Sequence, residues 1–214
     1  MAHGLLESLG LIIRCADSYL PMRSNHPKPK YAVVVGKQVY LRRPTVRDRK
    51  EFLVLNKASI GFHRTLVSPP TNPTQFASFL KRSRRADFAG FFICRVTDSR
   101  IIGVINLSQI FLGGFRSAYL GYYVGAQYAG QGYMTEAIQL MLQHAFRKLK
   151  LNRLEANIQP DNTASLALIK RAGFVREGYS RHYLKIDGRW RDHERWAILA
   201  ADWRVTARRT RKQR

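Results

Sequence analysis

Carboxylates are scarce in this chain. Its 214 residues hold 14 Asp and Glu against 37 Lys and Arg, a formal charge of +23. So few acids furnish an acidic pocket for a cationic small molecule poorly, and the excess of base should draw the chain to polyanions, nucleic acid first. Cysteine is scarce too. Cys15 and Cys94 show no metal or redox spacing, which argues against a disulfide framework or a zinc site. Cys94, inside Phe91-Phe92-Ile93-Cys94-Arg95-Val96, reads as a core thiol, and the cytosol is the expected compartment. No apolar run approaches the roughly 20 residues of a membrane span. The apolar start is interrupted by Glu7, with no basic residue ahead of it and no small-residue cleavage site behind, so no signal peptide is expected. A short amphipathic helix, a partner-binding arm and a mis-assigned start all remain open for this stretch.

What is present is enough for a core, at 45% hydrophobic content. The length fits one domain with appended ends. Residues 1–30 close on Asn25-His26-Pro27-Lys28-Pro29-Lys30, without periodicity, and read as an arm or linker. Residues 31–203 carry the patterned elements. Residues 204–214 hold six basic side chains and no acid, and read as a disordered basic tail. Further basic runs are Arg42-Arg43, Arg47 to Lys50 and Lys81 to Arg85.

In order, Tyr31 to Arg43 suggests two short strands or one with a turn. Thr45-Val46-Arg47-Asp48 resembles a capping box at a helix start. Asn72-Pro73 is a second cap with proline at the first helical position, and Gly61 to Thr74 between the two helices reads as loop. Strand-like runs follow at Phe88–Val96, Ile101–Ile110 and Ala118–Val124, at hairpin spacing. A helix is expected to about Leu149, a strand at Arg153–Ile158, and a helix at Thr163–Ala172 stopped by Gly173. Two closing strands flank Asp187-Gly188, a strong hairpin signal. The expected fold is α+β, one domain around a mixed, mostly antiparallel sheet with about four helices.

The chain is organised around Gln127-Tyr128-Ala129-Gly130-Gln131-Gly132, between a strand and a helix. Met134, Ala137, Ile138, Met141, Leu142 and Ala145 mark one face of that helix. Glycines let the backbone turn tightly, and the free N–H groups of the first helical turn favour an anion, so phosphate or pyrophosphate bound by backbone is the expected chemistry. No Gly-Lys-Ser or Gly-Lys-Thr follows, so this is not a Walker loop, and a dinucleotide fingerprint would need a third glycine and an early position. Further on, Asn162 and Ser165 sit three apart at a helix start, where capping is the simpler role.

Together, Gln127-x-x-Gly130-x-Gly132, then Asn162-x-x-Ser165, then Gly173-Phe174 resemble the GNAT N-acetyltransferases in kind and order. The run from Glu177 through Tyr183-Leu184-Lys185-Ile186-Asp187-Gly188-Arg189-Trp190 to His193 resembles one branch, the RimJ-type ribosomal-protein alanine N-acetyltransferases. Gly103 to Ser108 and Ala118 to Tyr122 also look like that group, and the resemblance spans roughly Ser24 to Trp203. It implies acetyl-CoA as cosubstrate, lying where the Tyr122–Gly125 strand splays from Leu154–Ile158. Backbone at Tyr123 and Val124 would pair with the pantetheine. Gln127, Ala129, Gly130, Gln131, Gly132, Tyr133 and Met134 would form the pyrophosphate loop. Asn162 would bind the pantetheine arm, and Ser165 would protonate the leaving thiolate.

For the base, Glu155 and the hairpin residues His182, Tyr183 and Asp187 are candidates, and Glu136 reads as a complement to the helix dipole. No metal cluster is expected. The implied reaction is direct acetyl transfer to the N-terminal α-amino group of an alanine on a ribosomal protein. Alternatives are a small-molecule amine acetyltransferase and a basic RNA-binding, ribosome-assembly protein on the same fold. RNA contact through the basic segments, and no membrane contact, complete the expectation.

Overall fold

A computed structural model describes residues 31–204. The expectations for residues 1–30 and for the tail from Val205 onward fall outside the described residues. Eight strands form one sheet in the order β1-β2-β3-β4-β5-β6-β8-β7. They are β1 Ala32–Val35, β2 Val39–Arg42, β3 Phe88–Arg95, β4 Ile101–Phe111, β5 Ser117–Val124, β6 Arg153–Ile158, β7 Val175–Ile186 and β8 Arg189–Leu199. All neighbours run antiparallel except β5 and β6. The helices are α1 Arg49–Ala58, α2 Ile60–His63, α3 Pro73–Arg82, α4 Tyr133–Gln143 and α5 Thr163–Arg171.

Local chemistry explains the helix starts. Asp48 accepts from the Thr45 N–H at 2.6 Å and the Thr45 hydroxyl at 2.9 Å, just before α1. Asn72 caps α3 by accepting the Gln75 N–H at 2.9 Å, with Pro73 at the first helical position. Two features depart from the sequence reading. The start of the expected loop at Gly61 is the short helix α2, because the His63 N–H continues helical bonding to the Ser59 carbonyl at 2.9 Å. The helix read as running to Leu149 is α-helical only to Gln143 and widens into a π-turn over His144–Lys148.

β3 is apolar and buried along nearly its whole length because both of its faces are covered. Phe92 meets Phe52 of α1 and Phe79 of α3, while its neighbour Phe91 meets His144 beyond α4. Ile138 and Met141 bring α4 fully into the core. Truncating either to Ala should cost about 2–5 kcal/mol.

The parallel pair positions the site. β5 and β6 bond only from Ser117↔Arg153 to Tyr119↔Glu155, and beyond Tyr119 they part. The backbone of β5 past that point has no strand on one side.

Candidate active site

The glycine loop follows β5 at this gap. After a tight turn over Ala126–Tyr128, Gly130 and Gly132 have φ of +74° and +82°. A Cβ on either would meet no atom within 4 Å, so it is the backbone conformation that calls for glycine, and the space above the loop is open. Gly132 is the N-cap of α4, and no side chain caps that helix. Glu136, the one acid of its first turn, is turned away. It accepts from the Gln38 N–H at 2.9 Å and from the Lys37 N–H, so it pins the β1–β2 turn and leaves the N–H groups of α4 for another anion.

A cavity of about 350 Å³ opens over this helix start. Tyr123, Val124, Ala129, Gly130, Gly132, Tyr133 and Met134 line it from the loop side, and Asn162 and Ser165 from α5. Gln127 and Gln131, expected among the binding residues, do not line it. The Gln131 side-chain amide donates to the Gln127 carbonyl at 2.8 Å, closing the loop on itself, and Gln127 borders a different cavity behind the loop. Among the described residues Arg171 is the one Lys or Arg on the lining, and no acid lines it.

On β5, the Gly125 N–H bonds to Ile102 of β4 at 2.8 Å. The antiparallel alternation then turns the backbone of Tyr123 toward β4 and that of Tyr122 and Val124 toward the gap. The Val124 carbonyl there accepts from His63 Nε2 at 2.9 Å. His63 is buried at 4% exposure, and burial lowers its pKa. The neutral ring carries its proton on Nε2, the tautomer this bond requires. Tyr123 is held by the His63 ring edge and by Asn56, 3.5 Å from its hydroxyl.

Tyr122 and Ser165 meet across the gap, with their hydroxyls 2.7 Å apart. Burial pushes the Tyr122 phenol up to about 12, so it is a neutral proton donor at physiological pH. Asn162 serves as a cap, its Oδ1 accepting the Ser165 N–H at 3.1 Å, which leaves its amide N–H groups for a ligand.

The pleat places Tyr119 and Gly121 on the face opposite Tyr122. They line a second cavity of about 260 Å³ with Ser108, Gln109, Asn157 and Tyr183. Asn157 Nδ2 donates to the Tyr183 hydroxyl at 3.2 Å. Each wall bends at a non-glycine residue with positive φ, Gln109 (+50°) and His182 (+47°), where the strand registers shift. Such bulges re-aim side chains beside binding sites. Leu120 and Leu184 complete the lining, which mixes polar and apolar side chains and carries no charge among the described residues. Glu155 lies one pleat from Asn157 but lines neither cavity, because its carboxylate sits 2.9 Å from Arg153 Nε, and Arg153 also binds Glu177. Asp187 lies in the β7–β8 turn, and the His182 N–H donates to Asp192. Among the described residues no group of three or more His, Cys, Asp or Glu is placed to hold a metal ion.

Sequence reasoning passed over Tyr122, His63 and Asn157 as functional groups. Only the strand period at Tyr122 and Asn157 hinted at which face each would take, and His63 fell in a stretch read as loop.

A sheet opened between two parallel strands, with a glycine loop and a free helix start at the opening, defines an acetyltransferase of the GNAT class. The model of the acetyltransferase (GNAT) domain matches residues 38–175, and the chain belongs to this family of acetyl-CoA-dependent N-acetyltransferases. The Bacillus subtilis protein named probable N-acetyltransferase YjcK is 34% identical over 178 residues, 78% of this chain and 97% of that protein. The Escherichia coli [ribosomal protein uS5]-alanine N-acetyltransferase is 42% identical over 106 residues, 50% of this chain and 55% of that enzyme. The solved structure of Mycobacterium smegmatis RimJ in complex with CoA-disulfide superposes with a TM-score of 0.68 at 30% identity, covering 79% of this chain and 88% of that one. A Vibrio cholerae spermidine N(1)-acetyltransferase is similar at 26% identity over 112 residues, 52% of this chain and 64% of that enzyme.

Proposed function

We propose that this enzyme moves the acetyl group of acetyl-CoA to the N-terminal α-amino group of a ribosomal protein that begins with alanine. The observation that carries the acceptor class is the uncharged lining of the cavity at Asn157 and Tyr183, which has no carboxylate to hold a polyamine. The acids on that side are engaged, Glu155 and Glu177 by Arg153 and Glu194 by Arg176. A peptide amine presents one charge, and loses it before attack. The similarity to the uS5-alanine enzyme supports the same reading, and with it a cytoplasmic reaction.

In this reading the pyrophosphate rests on the N–H groups from Gly130 to Met134, with Arg171 as the nearby cation. The pantetheine adds to the free side of β5 at Tyr122 and Val124, as an extra strand would. Asn162 donates to the pantetheine arm. The neutral amine enters from the Asn157 side and attacks the thioester carbon. A C–N bond forms, the C–S bond breaks, and a backbone N–H of β5 facing the gap stabilises the oxyanion. The leaving thiolate takes a proton from the Tyr122–Ser165 pair. The amine's own proton leaves to water at the mouth of the acceptor cavity, because Glu155 is paired with Arg153 and lines neither cavity and the Tyr183 phenol is neutral. An α-amino group with pKa near 8 is about one-tenth neutral at pH 7, so shifting it wholly to the neutral form is worth about tenfold. Positioning between the two cavities supplies the larger share.

The test is a direct competition. Purified enzyme is given acetyl-CoA with a short alanine-initiated peptide and spermidine at equal concentration, and products are read by mass spectrometry. Acetylation of the peptide at its α-amine is expected. Preferential acetylation of spermidine would overturn the acceptor assignment and leave the transferase standing. In a strain lacking this chain, one ribosomal protein should lose about 42 Da.

A further inference from the structure

A third cavity, about 560 Å³, lies behind the glycine loop, walled by α1, the β3–β4 turn and the turn over Ala126–Tyr128. Neither acetyl transfer nor the acceptor groove uses it. Arg47, Lys50 and Arg100 stand on its rim. Among the described residues neither Arg47 nor Lys50 makes an ion pair, and Arg100 reaches Asp98 only at 3.8 Å. The two acids on the lining are already satisfied. Glu51 accepts the Ile101 N–H at 2.7 Å, and Asp98 accepts from Nε and Nη2 of Arg95 at 3.0 and 2.5 Å. The floor is apolar. Val54 lies there 62% exposed, beside Leu55 and Ala58.

Two unpaired cations, Arg47 and Lys50, with the loosely paired Arg100 around an apolar floor match a phosphate joined to a flat, weakly polar body, and the volume lies within the roughly 300–1,000 Å³ of small-ligand sites. An apolar metabolite would leave the cations unused, and a cation would be repelled. We propose that this cavity binds a nucleotide, its phosphate held by Arg47, Lys50 and Arg100 and its base laid on Val54, Leu55 and Ala58. The occupant touches the acetyl-CoA loop through shared walls. Tyr128 and Gln127 line the cavity and lead directly into Gly130. The Ser59 hydroxyl, one residue beyond Ala58, accepts the Ala126 N–H at 3.0 Å. Binding there is therefore coupled to acetyl-CoA binding, and by linkage the coupling is reciprocal. The nucleotide belongs either to an RNA strand or to the free pool, a distinction the test makes.

The experiment measures binding of labelled hexa-adenylate and of free AMP to the full-length protein. Three variants are compared with it, each checked for an unchanged melting temperature. One is Arg47→Ala/Lys50→Ala/Arg100→Ala. One is Ala58→Trp, which fills the floor at constant charge. The third, Lys81→Ala/Arg84→Ala/Lys148→Ala, removes equal charge elsewhere. The cavity triple and the filled variant should each lose about tenfold in affinity or more, and the triple should flatten the salt dependence by about 0.7 log units per log unit, the share of one phosphate on a single strand. The control should change by less than about threefold, as dispersed surface charge would. Binding of AMP that competes with the hexamer assigns the site to a free nucleotide, and binding of the hexamer alone assigns it to RNA. Saturating hexamer should shift the KM for acetyl-CoA in the unmodified enzyme and not in Ala58→Trp. The proposal fails if neither probe binds, if the control loses as much as the cavity triple, or if Ala58→Trp binds normally. An unshifted KM would remove the coupling.

Discussion

The Tyr122 phenol lies 2.7 Å from the Ser165 hydroxyl and joins the free end of β5 to the first turn of α5 across the open sheet. Either oxygen is placed to donate toward the gap, but burial keeps the phenol neutral with a pKa of about 12. A proton given up by one is replaced by the other. Tyr122→Phe should therefore lower kcat by roughly 10²-fold while changing the KM for acetyl-CoA little, the signature of a lost general acid. Ser165→Ala should cost less, because the phenol remains. Steady-state kinetics on an alanine-initiated peptide decide this. An equal loss in Ser165→Ala would make the serine the immediate donor, and unchanged kcat in both would remove the pair from the reaction.

Thr135 is exposed in the first turn of α4, on the wall of the cofactor cavity. Thr135→Glu adds a negative charge where the helix dipole favours it, so the fold should be unharmed. The same charge opposes a pyrophosphate at close range. Acetyl-CoA affinity should fall by about tenfold or more. The substitution probes the loop more cleanly than a bulky residue at Gly132, whose φ of +82° would add backbone strain. Calorimetric titration with acetyl-CoA, beside a melting curve of the free protein, is the check.

Burial lowers the pKa of His63, His144 and His193 alike. Their folded values lie below the ordinary value near 6.5, so on acidification the unfolded chain binds protons first. The stability they contribute is complete above about pH 6.5 and is lost as pH falls below it toward the folded values. His144 should weigh most. Among the described residues both its ring nitrogens are buried without partners, and Arg43 and Lys148 add to the effect of burial. Melting temperature should be flat from about pH 8 to 7 and drop below about pH 6.5, with His144→Phe flattening the drop. An equally steep fall in that variant would place the acid sensitivity elsewhere.

Glu155 and Asn157 share one face of β6 and should separate in kinetics. Asn157→Ala should raise the KM for the peptide and leave that for acetyl-CoA alone, because it lines the cavity at Tyr183. Glu155→Gln should slow the reaction by less than about tenfold near pH 7, because its carboxylate is paired with Arg153 and lines neither cavity. A loss of roughly 10²-fold would make Glu155 an obligatory base.

The amino-acid sequence determined the features that depend on neighbours. The caps at Thr45, Asn72 and Asn162 bond within three residues, the glycine loop needs left-handed backbone at Gly130 and Gly132, and strand periods depend on side-chain alternation. These interactions form within one turn, so their residue types announce them. Tertiary structure alone decided which groups meet. Tyr122 and Ser165 are 43 positions apart, and His63 and the Val124 carbonyl 61. It also turned Gln127 behind the loop, whereas the pairing of Glu155 with Arg153 is local, two residues apart on one face of β6. The direction of a side chain at a turn or a sheet opening follows from what packs around it, and the first two of those partners come from other elements of the chain.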